Sequence, residues 1–235
     1  MITPTETILL DPLPFQIDFP RLLSSLHMEE STRHAAEIRQ LAVEAAAIAR
    51  PKGLFRLCFI GEKGTDTVSV EGITFTSRVL RVNLGELQRV FAFVCTSGHE
   101  LDAWAHAPLD TLSRFYADAV NEAVLHAAIA SLWQYITDRF AVAQLSAMNP
   151  GSLVDWPLRE QRPLFSLLGD VKDAIGVALT DSLLMVPTKS VSGFLFPGEE
   201  TFASCQLCPR AGCPNRRAPY DADLFQRKYS QGSPA

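Results

Sequence analysis

Three cysteines fall within nine residues, at Cys205, Cys208 and Cys213, in a chain that has five. Cys205-Gln206-Leu207-Cys208 is a CxxC pair whose thiolates can converge on one ion, and Cys213, after Pro209-Arg210-Ala211-Gly212, offers a third ligand. Three ligands leave one coordination position for a distant Cys or His, for water or for an exogenous group. Arg210, Arg216 and Arg217 would offset the thiolate charge. Cys58 and Cys95 stand alone in apolar surroundings, so the odd total is not a disulfide framework. In a reducing compartment a close thiol group more often binds metal or does redox work. Zinc and an iron-sulfur cluster are both open, since thiolate sites suit either, and Cys213-Pro214 favours a cluster. The plain alternative is a thiol group idle in both respects.

Two further places could do chemistry. Phe93-Val94-Cys95-Thr96-Ser97-Gly98 runs from an apolar strand into a turn of small residues, where backbone N–H groups could face a carboxylate or phosphate. A tight strand-to-helix turn explains Thr96 and Gly98 equally well, and Cys95 reads as a buried small hydrophobe. Arg114, Asp118, Glu122 and His126 recur at four-residue steps and form one polar stripe on a helix. A solvated ladder of charges is the ordinary explanation; the functional one places Glu122 or Asp118 at a cleft, accepting hydrogen bonds from a cationic amino group. The five histidines show no zinc-hydrolase pairing, and neither a Ser/His/Asp set nor a glycine-rich phosphate loop stands out.

The elements that must position these residues are mixed. Residues 1–30, with Pro4, Pro12, Pro14 and Pro20, predict an extended lead and a short helix near Arg21–His27. Ser31–Arg50 predicts a helix burying Ala35, Ile38, Leu41, Val43, Ala45 and Ile48, stopped by Pro51 and Gly53. Leu54–Ile60, Thr67–Val70, Ile73–Arg81 and Val90–Thr96 predict strands, with a short helix at Leu84–Gln88. One long helix is expected between Pro108 and Phe140, with Leu112, Phe115, Ala119, Ala123, Ala127 and Ala130 as its buried stripe. A helical stretch divided at Gly169 follows, then strands at Val177–Val186, Ser190–Phe196 and Thr201–Gln206. Helices and strands do not alternate strictly, so the expected fold is α+β with a largely antiparallel sheet and a Cys-rich C-terminal tail.

Twenty-one basic against 26 acidic side chains give a net charge of -5, so no global field holds a polyanion and nucleic acid is not expected as a partner. No apolar run approaches the roughly 20 residues needed to cross a bilayer, and Met1–Asp18 lacks the charged start of a secretory signal. No membrane association and a cytoplasmic location are the expectation.

Asp155-Trp156-Pro157-Leu158, Phe165-Ser166-Leu167-Leu168 and, above all, Gly176-Val177-Ala178-Leu179-Thr180-Asp181-Ser182 running on through Met185, Pro187 and Lys189-Ser190-Val191-Ser192-Gly193-Phe194 resemble the activation domain of cobalamin-dependent methionine synthase and its free-standing relatives. The resemblance spans roughly Glu30–Gln206 and implies three parts: a lead at 1–30, an activation-domain-like body at 31–206, and a tail at 207–235 that continues the Cys205/Cys208/Cys213 motif. It implies a curved domain with a twisted antiparallel sheet that binds S-adenosylmethionine and presents it to a corrinoid on a partner protein, restoring methylcobalamin with an electron from a donor it leaves unnamed. It places the ligand at Asn149, Pro150, Gly151 and Ser152, at the Thr96 to Gly98 turn, and at an aromatic contact near Thr201 or Phe202, and Glu122 joins them from the functional reading of the stripe. The family run Arg-Pro-Ala-x-Gly-Tyr keeps only Pro150 and Gly151 here. A guanidinium partner for the ligand carboxylate is therefore missing, with Arg139, Arg159 or Arg162 as substitutes. Two functions follow: an S-adenosylmethionine-binding protein that assists corrinoid reactivation or methylation, or a non-catalytic metal-bearing partner of a corrinoid protein that has lost the ligand.

Overall fold

A computed structural model describes residues 6–107, 110–198, 202–213 and 216–230. The chain opens with β1 (Thr7–Leu10), α1 (Phe19–Ser25), α2 (Arg33–Ile48), β2 (Lys52–Lys63), β3 (Thr67–Val70), β4 (Ile73–Thr76), α3 (Arg78–Asn83) and β5 (Arg89–Thr96). It continues with α4 (His99–Ala105), α5 (Thr111–Phe140), β6 (Leu145–Met148), α6 (Gln161–Leu168), α7 (Val171–Ile175), β7 (Ala178–Leu179), β8 (Met185–Val186) and β9 (Ser190–Pro197). The main sheet runs β4-β3-β2-β5-β9-β6, with β1 beside the first half of β2, and every neighbour is antiparallel. β7 and β8 form a separate hairpin.

β5 explains the layering. Its residues from Val90 to Thr96 are all buried, which an antiparallel strand achieves only when both faces of the sheet are covered. Side chains alternate across a strand. Phe91, Phe93 and Cys95 pack with Phe55, Leu125 and Leu132 under α5. Val90, Ala92 and Val94 pack with Leu164, Leu167, Trp156 and Phe194 under α6. A third cluster joins α1, α2 and α5 through Leu22, Ile38, Leu41, Tyr116 and Val120. The two longest helices begin at side-chain caps: Thr32 accepts the Ala35 N–H at 3.1 Å, and Asp110 accepts those of Leu112 and Ser113 at 3.0 and 3.1 Å. No helix among the described residues is long and apolar enough to cross a membrane.

Several expectations change. The expected strand Ile73–Arg81 ends at Thr76, because the Ser77 hydroxyl accepts the Leu80 N–H at 2.9 Å and the Asp155 carboxylate accepts those of Arg78 and Val79 at 3.1 and 3.0 Å, which starts α3. Leu84–Gln88 is a turn that follows α3. Asp155 of the Asp-Trp-Pro run is thus a remote helix cap, and Trp156 stacks on Phe194 with ring centroids 5.7 Å apart. Pro108 lies outside the described residues; Gly98 starts α4 as a helix of its own before α5.

α5 buries Tyr116, Ala117, Val120, Val124, Ala128, Leu132 and Ile136, whereas Leu112 and Phe115 are exposed, Phe115 at 58%. Val43, assigned to the buried face of α2, is 68% exposed. Val177–Val186 is a hairpin, its turn tied by the Leu184 N–H donating to Thr180 Oγ1 at 3.1 Å. Thr201 lies outside the described residues, and Ser204–Leu207 is a 3-10 turn rather than a strand. The tail docks: a π-helical turn at Phe225–Tyr229 buries Tyr229, whose hydroxyl donates to Asn83 Oδ1 at 3.0 Å while its ring meets Phe202 edge-on.

Candidate functional site

Antiparallel pairing brings the C-terminal ends of β5 and β6 to the entrance of β9. Thr96, the last residue of β5, pairs with Ser190, and Met148, the last of β6, pairs with Phe194. Asn149 reaches back along β9 to donate from Nδ2 to the Ser192 carbonyl at 2.8 Å. Ser190 and Ser192 are two steps apart along the strand, about 7 Å, so the Thr96–Gly98 and Asn149–Ser152 turns flank one short stretch of β9. β6 and β9 approach closely there: a Cβ on Gly193 would collide with the Met148 carbonyl.

Thr96 is wholly buried and acts as a hub. Its hydroxyl accepts from Ser190 Oγ at 2.9 Å and from the Gly98 N–H at 3.2 Å, and the Ser97 N–H donates to the Lys189 carbonyl at 3.1 Å. Gly98 sits at φ 101°, where a Cβ would come within 2.6 Å of the Arg50 carbonyl. Thr96 and Gly98 therefore shape the turn from inside and offer no side-chain contact to a ligand. The same bundle of loops is tied by His99 Nε2 against the Gly176 carbonyl at 2.6 Å and by Thr188 Oγ1 donating to Asp102 Oδ1 at 3.2 Å.

The polar stripe of α5 faces this entrance. Lys189, immediately before β9, donates from Nζ to Asp118 Oδ2 at 2.9 Å and to Glu122 Oε2 at 3.2 Å. Partial burial works against the Lys189 charge, but hydrogen bonds and the negative charges of Asp118 and Glu122 outweigh it, and its pKa is raised. Desolvation depresses His126, one turn further along; Glu122 opposes the shift, and the positive charges of Arg21, Arg217 and Lys189 add to it. Two carboxylates around one ammonium leave a net negative charge that suits a cationic amino group. Asn121, just before Glu122, is buried with neither amide atom hydrogen-bonded. Lys189 and Asn121 had no place in the sequence-derived site. Their signal was only position: Lys189 opens the Lys-Ser-Val-Ser-Gly run, and Asn121 interrupts an apolar helix face.

On the opposite flank, Pro150 is buried, while Gly151 and Ser152 are exposed. Gly151 holds φ 83° and donates its N–H to the Trp156 carbonyl at 2.8 Å. Ser152 Oγ donates to the Asn149 carbonyl at 2.6 Å and lies 3.2 Å from Ser204 Oγ. Phe202 is a core residue: its N–H donates to Ser146 Oγ at 2.8 Å and its ring packs against Tyr229, so it presents no open aromatic face. Arg139 lies 17 residues beyond Glu122 on α5, about 25 Å away by helix rise. Arg159 is an exposed neighbour of Glu160, and Arg162 is exposed near the start of α6. Two guanidiniums act on His126, Arg21 and, less strongly, Arg217, and the Arg217 charge also acts on Cys205.

The thiols do not form the expected metal site. Among the described residues no group of three or more His, Cys, Asp and Glu could hold an ion, and Pro214 lies outside them. The loop that carries the thiols holds a cation against its carbonyls. The Arg216 guanidinium donates to the carbonyls of Cys205 at 3.1 Å and Cys208 at 3.2 Å, and also to that of Arg210. Such a loop is closed by its backbone around a positive charge, and Cys205, Cys208 and Cys213 all remain free thiols. Burial raises the Cys205 thiol, but N–H donors from Arg217 and Ala218 and the Arg217 charge outweigh it, leaving the pKa lowered. Burial pushes Cys58 up to about 11 and Cys95 up to about 12.

Residues 92–204 match the family described as vitamin B12 dependent methionine synthase, activation domain. That span holds the Thr96–Gly98 turn, α5 and the Asn149–Ser152 turn, and stops just before Cys205. Among solved structures, the MetH reactivation domain bound to AdoHcy shares this fold with a TM-score of 0.65 at 18% sequence identity, over 86% of this chain and 84% of that one. No curated protein matches the chain.

Proposed function

This chain is a relative of the cobalamin-dependent methionine synthase activation domain, and from that premise we propose that it binds S-adenosylmethionine at the entrance of β9 and assists reductive reactivation or methylation of a corrinoid carried by a partner protein. The observation that supports this is the meeting, at Lys189–Ser192, of the two turns and the acidic stripe of α5. Asp118 and Glu122 accept hydrogen bonds from the ligand ammonium. Arg217, from the tail, supplies the charge that the family's missing arginine would have given the carboxylate. The Asn149–Ser152 backbone lines the space between. When the ligand is bound, its sulfonium makes the methyl carbon electrophilic toward a reduced cobalt centre. The chain's own contribution is to hold that carbon in line and to keep the surroundings polar and fixed. The electron comes from a reductant outside this chain. Cys205, Cys208 and Cys213 hold no metal in this reading.

Calorimetry on the full chain tests the proposal. Binding of S-adenosylmethionine is expected in the micromolar range, about -8 kcal/mol. Glu122→Gln is expected to weaken it about tenfold with unchanged circular dichroism. No heat at millimolar ligand overturns the proposal and leaves the alternative, a non-catalytic partner of a corrinoid protein.

A further inference from the structure

The loop that carries Cys205 and Cys208 has a geometry suited to thiol chemistry. The Cys208 N–H donates to the Cys205 carbonyl at 3.3 Å, closing a turn over the CxxC residues. The ends of such a turn lie within about 7 Å, close to the roughly 4.4–6.8 Å between Cα atoms that a disulfide spans. The Arg216 guanidinium bonds the carbonyls of both cysteines, so a fixed positive charge stands beside them, and the Arg217 N–H donates to Cys205 Sγ at 3.4 Å. A cation and an N–H donor next to a sulfur favour its thiolate, which is the nucleophile in exchange reactions. Both cysteines are partly exposed, whereas Cys58 and Cys95 are wholly buried. Cys213 lies outside the turn, beyond Gly212.

We infer that Cys205 and Cys208 form a thiol–disulfide exchange site, with Cys205 the attacking thiolate, Cys208 the resolving thiol and a small-molecule disulfide the oxidised partner. Cys205 attacks one sulfur of R–S–S–R; that S–S bond breaks, one thiolate leaves and a mixed disulfide forms. Cys208 gives its proton to solvent, attacks the Cys205 sulfur, expels the second thiolate and completes the Cys205–Cys208 bond. The two cysteines lose two electrons, and R–S–S–R gains them as two thiols. Ser204, next to Cys205, touches Ser152, so the exchange takes place at the rim of the candidate ligand cleft without depending on what that cleft binds.

The test uses the reduced full chain, incubated with oxidised glutathione, quenched in acid, alkylated and digested. Trypsin places Cys205 and Cys208 in Ser190–Arg210 and Cys213 in Ala211–Arg216, so the pairs are separable by mass. The expected result is loss of alkylation at both Cys205 and Cys208, restored by dithiothreitol, with Cys58 and Cys95 unaffected. Cys208→Ser is expected to trap glutathione on Cys205, and Cys205→Ser to leave Cys208 alkylated throughout. The inference is overturned if both cysteines stay fully alkylated, if the bond runs to Cys213, or if zinc or iron co-purifies and shields the thiols until it is chelated.

Discussion

Lys189 shows how much one side chain decides. It converts a pair of like charges on α5, Asp118 and Glu122, into a tie between that helix and the entrance of β9. The bridge is only partly shielded, since the Asp118 side chain is half-exposed, so Lys189→Met is expected to cost about 0.5–1 kcal/mol in a urea titration, with a smaller loss in high salt. Asn121 makes the opposite case. A buried amide with no partner is held at a cost of about 1–3 kcal/mol, so Asn121→Leu is expected to keep or raise stability, and a clear loss would show that the amide is satisfied by water. Residue types were legible from the sequence where spacing carried them: Asp118 and Glu122 on one stripe, Asn149–Ser152 in one turn. Roles were not, because burial decides them. Thr96 is buried and Phe202 packs in the core, and nothing in the spacing of the thiols announces that Arg216 bonds the carbonyls of their loop.

At the level of elements, the sequence indicated strands well where both faces are apolar, as in β2 and β5. It failed where a distant side chain sets a boundary. Ile73–Arg81 has strand composition to its end, and only Asp155, far along the chain, turns its second half into α3. Asp155→Ala is expected to cost about 1–2 kcal/mol, seen as a lower thermal midpoint. The phase of α5 was misjudged because alanines occur all round the helix and the bulky Leu112 and Phe115 lie on its solvent side. Packing against two partners, the sheet and α2, chose the face that a single period could not. Gly193 has a comparable cause at backbone scale, as β6 comes too close for a side chain.

For the whole molecule, proton linkage gives a stability profile whose signs follow from the buried groups. Cys58 and Cys95 rise from 9.0 to about 11 and 12, and Tyr229 from 10.0 to about 12; the raised Lys189 acts in the same sense. The native state thus keeps protons that the unfolded chain releases, and stability is expected to fall as pH rises from about 9 to 12. On the acid side, His126, with its lowered pKa, takes its proton later than the unfolded chain does, so stability falls as pH drops below 6.5. Urea midpoints across pH 5–11 check both limbs against the plateau between them. Tyr229 holds the far end of the chain in the main core at 1% exposure, and Tyr229→Ala is expected to cost about 3–5 kcal/mol. Anyone shortening the protein to its recognisable body at Gln206 would pull that ring from its socket and bare Phe202, and the resulting fragment is expected to self-associate more readily than the intact chain.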